Sequence, residues 1–224
     1  MDEDRRDKLL PTRLYRELET GEQIILAGDP SEGANSYCAA VALSKKYYDY
    51  PLVYNDRTNS SQFGYELYAI AKYIYNHTQM WPKIAVERNV GQATIFVLKT
   101  LNYPNLFRMV DFAATTSTEG GDIGWVTTGS WSGGELIGTR RKMLDDLALA
   151  IKQKRIKMSD EEQIRQCMSF RWVKGRGQQQ ASKKDDILMA SSIAWSVHLV
   201  TPEEYLDDFD AAEFRKSQEK WRFK

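Results

Sequence analysis

The chain has 224 residues, 42% hydrophobic and 12% aromatic, enough to bury one good core with tails at either end. Its 31 basic side chains balance 31 acidic ones, so no whole-molecule field draws it to nucleic acid, and any DNA affinity must come from local basic patches. Cys38 and Cys167 lie far apart without CxxC or Cys/His partners, which argues against zinc and against a disulfide scaffold and fits a reducing, cytosolic compartment.

No apolar run approaches the ~20 residues of a membrane span, and the polar start MDEDRRDK is no secretory signal, so a soluble chain without membrane partners is expected. Residues 1–21 are highly charged, with a helical spacing at Leu10, Leu14 and Leu18 that ends at Gly21, and read as a linker or docking arm. Two apolar runs, 23–29 and 36–44, predict strands joined as a hairpin by the turn Pro30-Ser31-Glu32-Gly33. A strand at 51–55 precedes a helix over 62–75 with Leu67, Ile70, Ala71 and Ile74 on one face. A short strand ending at Glu87, a helix over 92–101 and a fifth strand over 106–112 follow, so strands alternate with helices as in an α/β sheet.

The Gly, Thr and Ser-rich stretch 113–134 reads as a long loop anchored by Trp125 and Trp131. An amphipathic helix is predicted over 140–153, and another starts at Ser159, with Glu162 completing a capping box. FRWVKG at 170–175 reads as a strand and RGQQQASKK as a polar loop, with a hairpin near Gly175 to Gln180 placed to gate access. A long helix covers 185–199 before a charged tail. The expected organisation is an arm at 1–21, an α/β domain at 22–200 and a tail at 201–224.

Three acidic residues stand where solvated charges usually do not: Asp29 and Glu87 each end an apolar strand, and Asp186 opens an apolar helix. Strand ends and helix starts in such a sheet converge on one crevice, and carboxylates gathered there repel each other unless one is protonated or hard cations sit between them. Mg2+ or Mn2+ answers that need, and two such ions activate water and stabilise the leaving oxygen of a phosphodiester. Asp185 and Asp186 cannot face the same way on a helix: Asp186 lines up with Ala190, Ile193 and Val197, whereas Asp185 lines up with Ser192 and Ser196 and closes a capping box from Ser182. Asp186 is therefore the expected ligand and Asp185 an assistant. The ordinary alternatives are an Asx turn for Asp29, a salt bridge of Glu87 to Arg88, and a solvated loop for the cations Lys174, Arg176, Lys183 and Lys184, which equally suit DNA phosphates. Arg140 and Arg141 are further candidate DNA contacts, while His77 and His198, isolated at helix ends, carry no assignment.

Asp29-Pro-Ser-Glu-Gly33, Ile84-Ala-Val-Glu87-Arg-Asn89 and Lys184-Asp185-Asp186-Ile-Leu-Met-Ala190 resemble, in order and spacing, the three acidic motifs of the nuclease domain of tailed-phage terminase large subunits, a branch of the RNase H-like nucleases. Gly124-Trp125 followed by Thr139-Arg140-Arg141 and a helix resembles the segment between the second and third motifs. Two positions depart from the pattern: Asn35-Ser36 stands where relatives often carry Asp, and Lys184 where a His often precedes the acidic pair. The resemblance implies a mixed five-stranded sheet flanked by helices and cleavage of concatemeric double-stranded viral DNA during packaging in the host cytoplasm. Its implied partners are the terminase ATPase domain, the small terminase subunit and the portal. No GxxxxGK[ST] is present, so an excised domain without its ATPase is expected. Rival readings are a Holliday-junction resolvase or transposase-like nuclease of the same fold, and a non-catalytic module docking on a motor or portal.

Overall fold

The computed structural model describes residues 11–32, 37–109, 121–127, 130–132, 135–137, 139–173, 176–179 and 184–201. Its centre is a mixed sheet of five strands: β1 (Thr12–Leu14), β2 (Ile24–Asp29), β3 (Tyr37–Ser44), β4 (Leu52–Arg57) and β5 (Lys83–Val86). They lie in the order β1-β4-β3-β2-β5, antiparallel throughout except for the parallel pair β2 and β5. The expected hairpin is the β2–β3 pair, with Ile24 opposite Ser44 and Asp29 opposite Ala39. The β2 and β3 runs are apolar without a break because both sheet faces are covered.

One face is covered by α1 (Ser60–Thr78) and α2 (Gln92–Thr100), whose Phe63, Leu67, Ile74, Ile95 and Leu98 pack on Leu26, Ala40 and Val86. Asn59 starts α1 by accepting the Gln62 amide at 2.9 Å, two residues before the expected start. The other face is covered by α3 (Thr139–Lys152), α4 (Glu161–Ser169) and α5 (Asp186–Val200), which share a core with Ile25, Ala27, Ala39, Val41 and Ala85. The result is an α/β fold with helices on both faces of the sheet, as expected.

Several elements differ from expectation. The leucine spacing at 10, 14 and 18 suggests a helix, but Thr12–Leu14 is the edge strand β1, paired with Leu52 to Tyr54. Long-range contacts decide this: Arg13 and Tyr15 both bond Asp160, and Arg16 bonds Asp49 and the buried Glu22. Part of the segment read as an arm is thus built into the sheet, whose fifth strand is β1 and not residues 106–112. There, Asn105 and Phe107 exchange backbone bonds with Ile84 at 2.9 and 2.8 Å, and a two-residue strand β6 (Arg108–Met109) pairs with β7 (Asp122–Ile123); residues 110–112 lie outside the described residues.

The stretch expected to be one loop contains β7 and β8 (Ser130–Ser132), which pairs with β9 (Glu135–Ile137) just beyond it, and Trp125 anchors it by burial; the Trp131 side chain lies outside the described residues. The first half of the supposed polar loop after 175 is a strand, β11 (Arg176–Gln179), paired with β10 (Phe170–Val173). The cap of α4 is Asp160, accepting the Gln163 amide at 2.7 Å, and not Ser159. Glu162 is instead buried on the helix's inner side.

Candidate active site

The position of Asp29 and Glu87 follows from strand register. Gly28 on β2 pairs with Val86 on the parallel strand β5, and the Glu87 amide donates to the Gly28 carbonyl at 2.9 Å. Asp29 and Glu87 are therefore the next residues of two adjacent parallel strands, at the carboxyl end where such sheets place their sites. Side chains alternate along a strand, so both share a face with Ala27 and Ala85 two residues back. Those alanines belong to the core that α5 covers, which aims both acids toward the helix that begins at Asp186.

Glu87 is 5% exposed and its two oxygens are engaged. Oε2 accepts the Val90 amide at 3.1 Å, and Oε1 accepts the Thr127 hydroxyl. Thr127 is held in turn by Asn89, whose amide group donates to its carbonyl at 2.6 Å and its hydroxyl at 2.9 Å. Arg88, the partner an ordinary salt bridge would have used, bonds Asp122 instead. The segment around Trp125 is itself stitched to the end of β5, with the Trp125 amide on the Val86 carbonyl at 2.8 Å and the Arg88 amide on the Trp125 carbonyl at 2.7 Å.

The acidic pair at the start of α5 divides its work in a way that helix faces alone do not reveal. Residues Ile187 to Val197 are buried all around the helix, because α3 and α4 pack on its outer sides, so the face of Ser192 and Ser196 is no more exposed than that of Ala190. Asp185 is the N-cap residue, not the third residue of a capping box, and its side chain makes no capping bond; Ser182 lies outside the described residues. The Asp185 carboxylate pairs with Arg140 at 3.2 Å. The amides of Ile187 and Leu188 are capped from a distance by Gln166 Oε1 on α4, at 2.9 and 3.0 Å. A helix start satisfied in this way keeps its positive end directed at the acids, which favours negative charge there.

Asp29 registers the whole cluster. It keeps part of its surface accessible, yet its carboxyl sits deep enough that burial holds its pKa well above the usual carboxylate range. The charges of Asp186, Glu87 and Asp185 add to that rise, in decreasing order, and Arg140 opposes it. The four acids thus share one electrostatic neighbourhood. Among the described residues, no three acidic, histidine or cysteine side chains close to the spacing of a ready ligand set. The oxygens of Glu87 are turned instead to Thr127 and Val90, and the Asp185 carboxylate to Arg140.

The candidate DNA contacts separate. Lys184 lies with Nζ 3.5 Å from the centre of the Tyr37 ring, at the mouth of β3. Arg141 pairs with Asp145 one turn along α3 at 2.5 Å. Lys174, Lys183 and the Arg176 side chain lie outside the described residues. Sequence reading missed Thr127 and Gln166, whose roles depend on partners 40 and 21 residues away and carry no local signal.

No family model and no curated protein matches the sequence. Among solved structures, the large terminase nuclease from thermophilic phage G20c superposes with a TM-score of 0.61 at 13% identity, covering 84% of this chain and 89% of that one. The same nuclease has been solved with bound cobalt, magnesium and zinc. The large terminase nuclease domain of Thermus phage P74-26 matches with a TM-score of 0.57 and 13% identity over 85% of this chain and 87% of that one. A longer large terminase from another thermophilic bacteriophage matches at 0.50 and 13% identity, over 80% of this chain but 40% of its own length. The chain has the α/β, RNase H-like fold of the nuclease domains of phage large terminases.

Proposed function

We propose that this chain is a divalent-metal-dependent DNA endonuclease that cuts concatemeric viral DNA during genome packaging. The observation that carries this reading is the placement of Asp29 and Glu87 at neighbouring positions of parallel strands, facing the helix that opens with Asp186, in a fold shared with terminase nucleases. The donor set fits hard cations: it is all carboxylate oxygen, and its mutual repulsion is felt at Asp29.

Asp29, Glu87 and Asp186 would hold the metal, Mg2+ or Mn2+ and two ions by this reading, with Asp185 assisting. Bound ions would neutralise the cluster, activate a water and stabilise the leaving oxygen of the phosphodiester. The protein's own residues do the positioning. Val90 and Thr127 orient the Glu87 carboxylate, Gln166 fixes the start of α5, and Lys184 and Arg140 bring positive charge to the rim where a phosphate backbone would lie. Lys174, Arg176, Lys183 and Arg141 extend that rim in the same reading. Residues 22–200 together with the edge strand β1 form the nuclease domain, and the partners are double-stranded DNA, the terminase ATPase domain, the small subunit and the portal, in the host cytoplasm.

Plasmid DNA incubated with Mn2+ or Mg2+ is expected to give nicked and then linear product, and Asp186→Asn to abolish both while leaving the circular dichroism spectrum unchanged. Undiminished cleavage by that variant removes Asp186 from the site. A wild-type protein that binds DNA but never cuts it, with either metal, supports a docking role instead.

A further inference from the structure

We infer that Arg140 is a resident counter-cation of the acid cluster, parked on Asp185 and exchanged to a DNA phosphate when divalent ions occupy the carboxylates. This rests on the metal-nuclease reading above and adds a coupling between metal and DNA that the reading does not require.

Arg140 lies in the first turn of α3, and its guanidinium reaches across 45 residues of sequence to Asp185 at 3.2 Å. Its position is tied to the rest of the site, because the neighbouring Thr139 hydroxyl bonds the Val126 carbonyl and Thr127 bonds Glu87. Its charge opposes those of three carboxylates at Asp29. A tethered positive charge among acids takes part of the neutralising role that a metal ion otherwise takes, so the two compete for the same field.

The pair is also built to part. A single contact of 3.2 Å joins side chains that are 36% and 29% exposed, whereas a permanent structural arginine is more often buried and held through both arms of its fork. A guanidinium released at that rim has the geometry to grip a phosphate. Arg141 supplies an internal control. It adjoins Arg140 on the same helix, but pairs with Asp145 at 2.5 Å on the exposed surface.

Reciprocity sets the test: if metal displaces Arg140 toward DNA, then metal tightens DNA binding and DNA tightens metal binding by the same factor. Mn2+ binding is measured by electron paramagnetic resonance on the free protein, and binding of a short labelled duplex by fluorescence anisotropy with and without Ca2+. Arg140→Gln is expected to bind Mn2+ about 5-fold or more tightly than wild type and to lose most of the Ca2+-dependent gain in duplex affinity, a coupling of ordinary allosteric size. Arg141→Gln should leave Mn2+ affinity unchanged, and Arg140→Lys should restore it toward wild type. Equal Mn2+ affinity in Arg140→Gln and wild type, or an undiminished Ca2+ effect on duplex binding, overturns the exchange. If wild type binds Mn2+ no better than Asp186→Asn, the metal site itself is refuted, an outcome distinct from failure of the Arg140 coupling.

Discussion

Asp160 joins the first strand of the sheet to the helix whose Gln166 caps the start of α5, and Asp160→Asn tests that link. Its side chain is 1% exposed; Oδ2 accepts Arg13 Nε at 2.6 Å and the Tyr15 hydroxyl, while Oδ1 caps α4 through the Gln163 amide at 2.7 Å. Asparagine preserves the capping oxygen but sets an NH2 group against two donors and removes the charge facing Arg13. Breaking a buried ion pair by deleting one partner costs about 3–5 kcal/mol, and because Arg13 is 14% exposed the lower end, about 3 kcal/mol, is expected. Burial alone would raise the Asp160 pKa, but the hydrogen bonds and charge of Arg13 and the bond from Tyr15 outweigh it and leave the folded value below 3.8. A carboxyl depressed on folding stabilises above its unfolded pKa and loses that contribution as pH falls through the folded value. The gap between wild type and variant should therefore be full at pH 7 and narrow progressively at pH values below 3.8. Urea unfolding across pH reads both quantities. A variant within about 0.5 kcal/mol of wild type at pH 7, the range of an ordinary surface change, or a gap that does not change with acid, refutes the ion-pair account.

Four other outcomes follow from the geometry. Gln166→Ala removes the acceptor for two amides of α5 and should cost about 1–2 kcal/mol in thermal or urea unfolding. A Cβ at Gly91 would lie 2.1 Å from the Glu87 carbonyl and 2.6 Å from Val86 Cγ1, so Gly91→Ala should displace the Glu87 turn, cost more than about 2 kcal/mol and weaken Mn2+ binding. Asp29→Asn relieves a buried, repelled carboxyl, so metal-free protein should unfold about 1 kcal/mol later while plasmid cleavage disappears; lower stability would count against the crowding of charge at Asp29. Tyr50→Phe loses a buried bond to the Ser191 carbonyl at 3.0 Å, for about 1–2 kcal/mol by urea unfolding.

What the sequence reveals here depends on whether a residue's partner is near it in the chain. The β2–β3 hairpin and helices α1 to α3 and α5 are legible because apolar period and turn residues act within a few positions. The strand character of Thr12–Leu14 is not, since its leucines happen to fall at helical spacing and the deciding contacts are with Tyr54, Asp49 and Asp160. Helix starts show the same division. Ser159 and Asp160 are both acceptable caps, and only the tertiary position of Asp160 beside Arg13 selects it. At α5 no local cap operates, because Gln166 from another helix takes the two amides.

The three motif acids stand out in the sequence for a stronger reason than their spacing. A carboxylate that ends an apolar strand, or opens an apolar helix, is placed against the local preference of its surroundings, and a folded chain retains such a conflict where the site has a use for it. Asp29 shows the cost in its raised pKa, and the protein meets part of it with Thr127, the start of α5 and Arg140. Those three compensations are polar, local to the acids and partly exchangeable. A fold selected for stability alone would have placed apolar side chains at the ends of β2 and β5, as it did at Ile25, Ala27 and Ala85 on the same face. On the proposed reading the acids give up stability for chemistry, and variants that neutralise them are expected to separate the two properties in opposite directions.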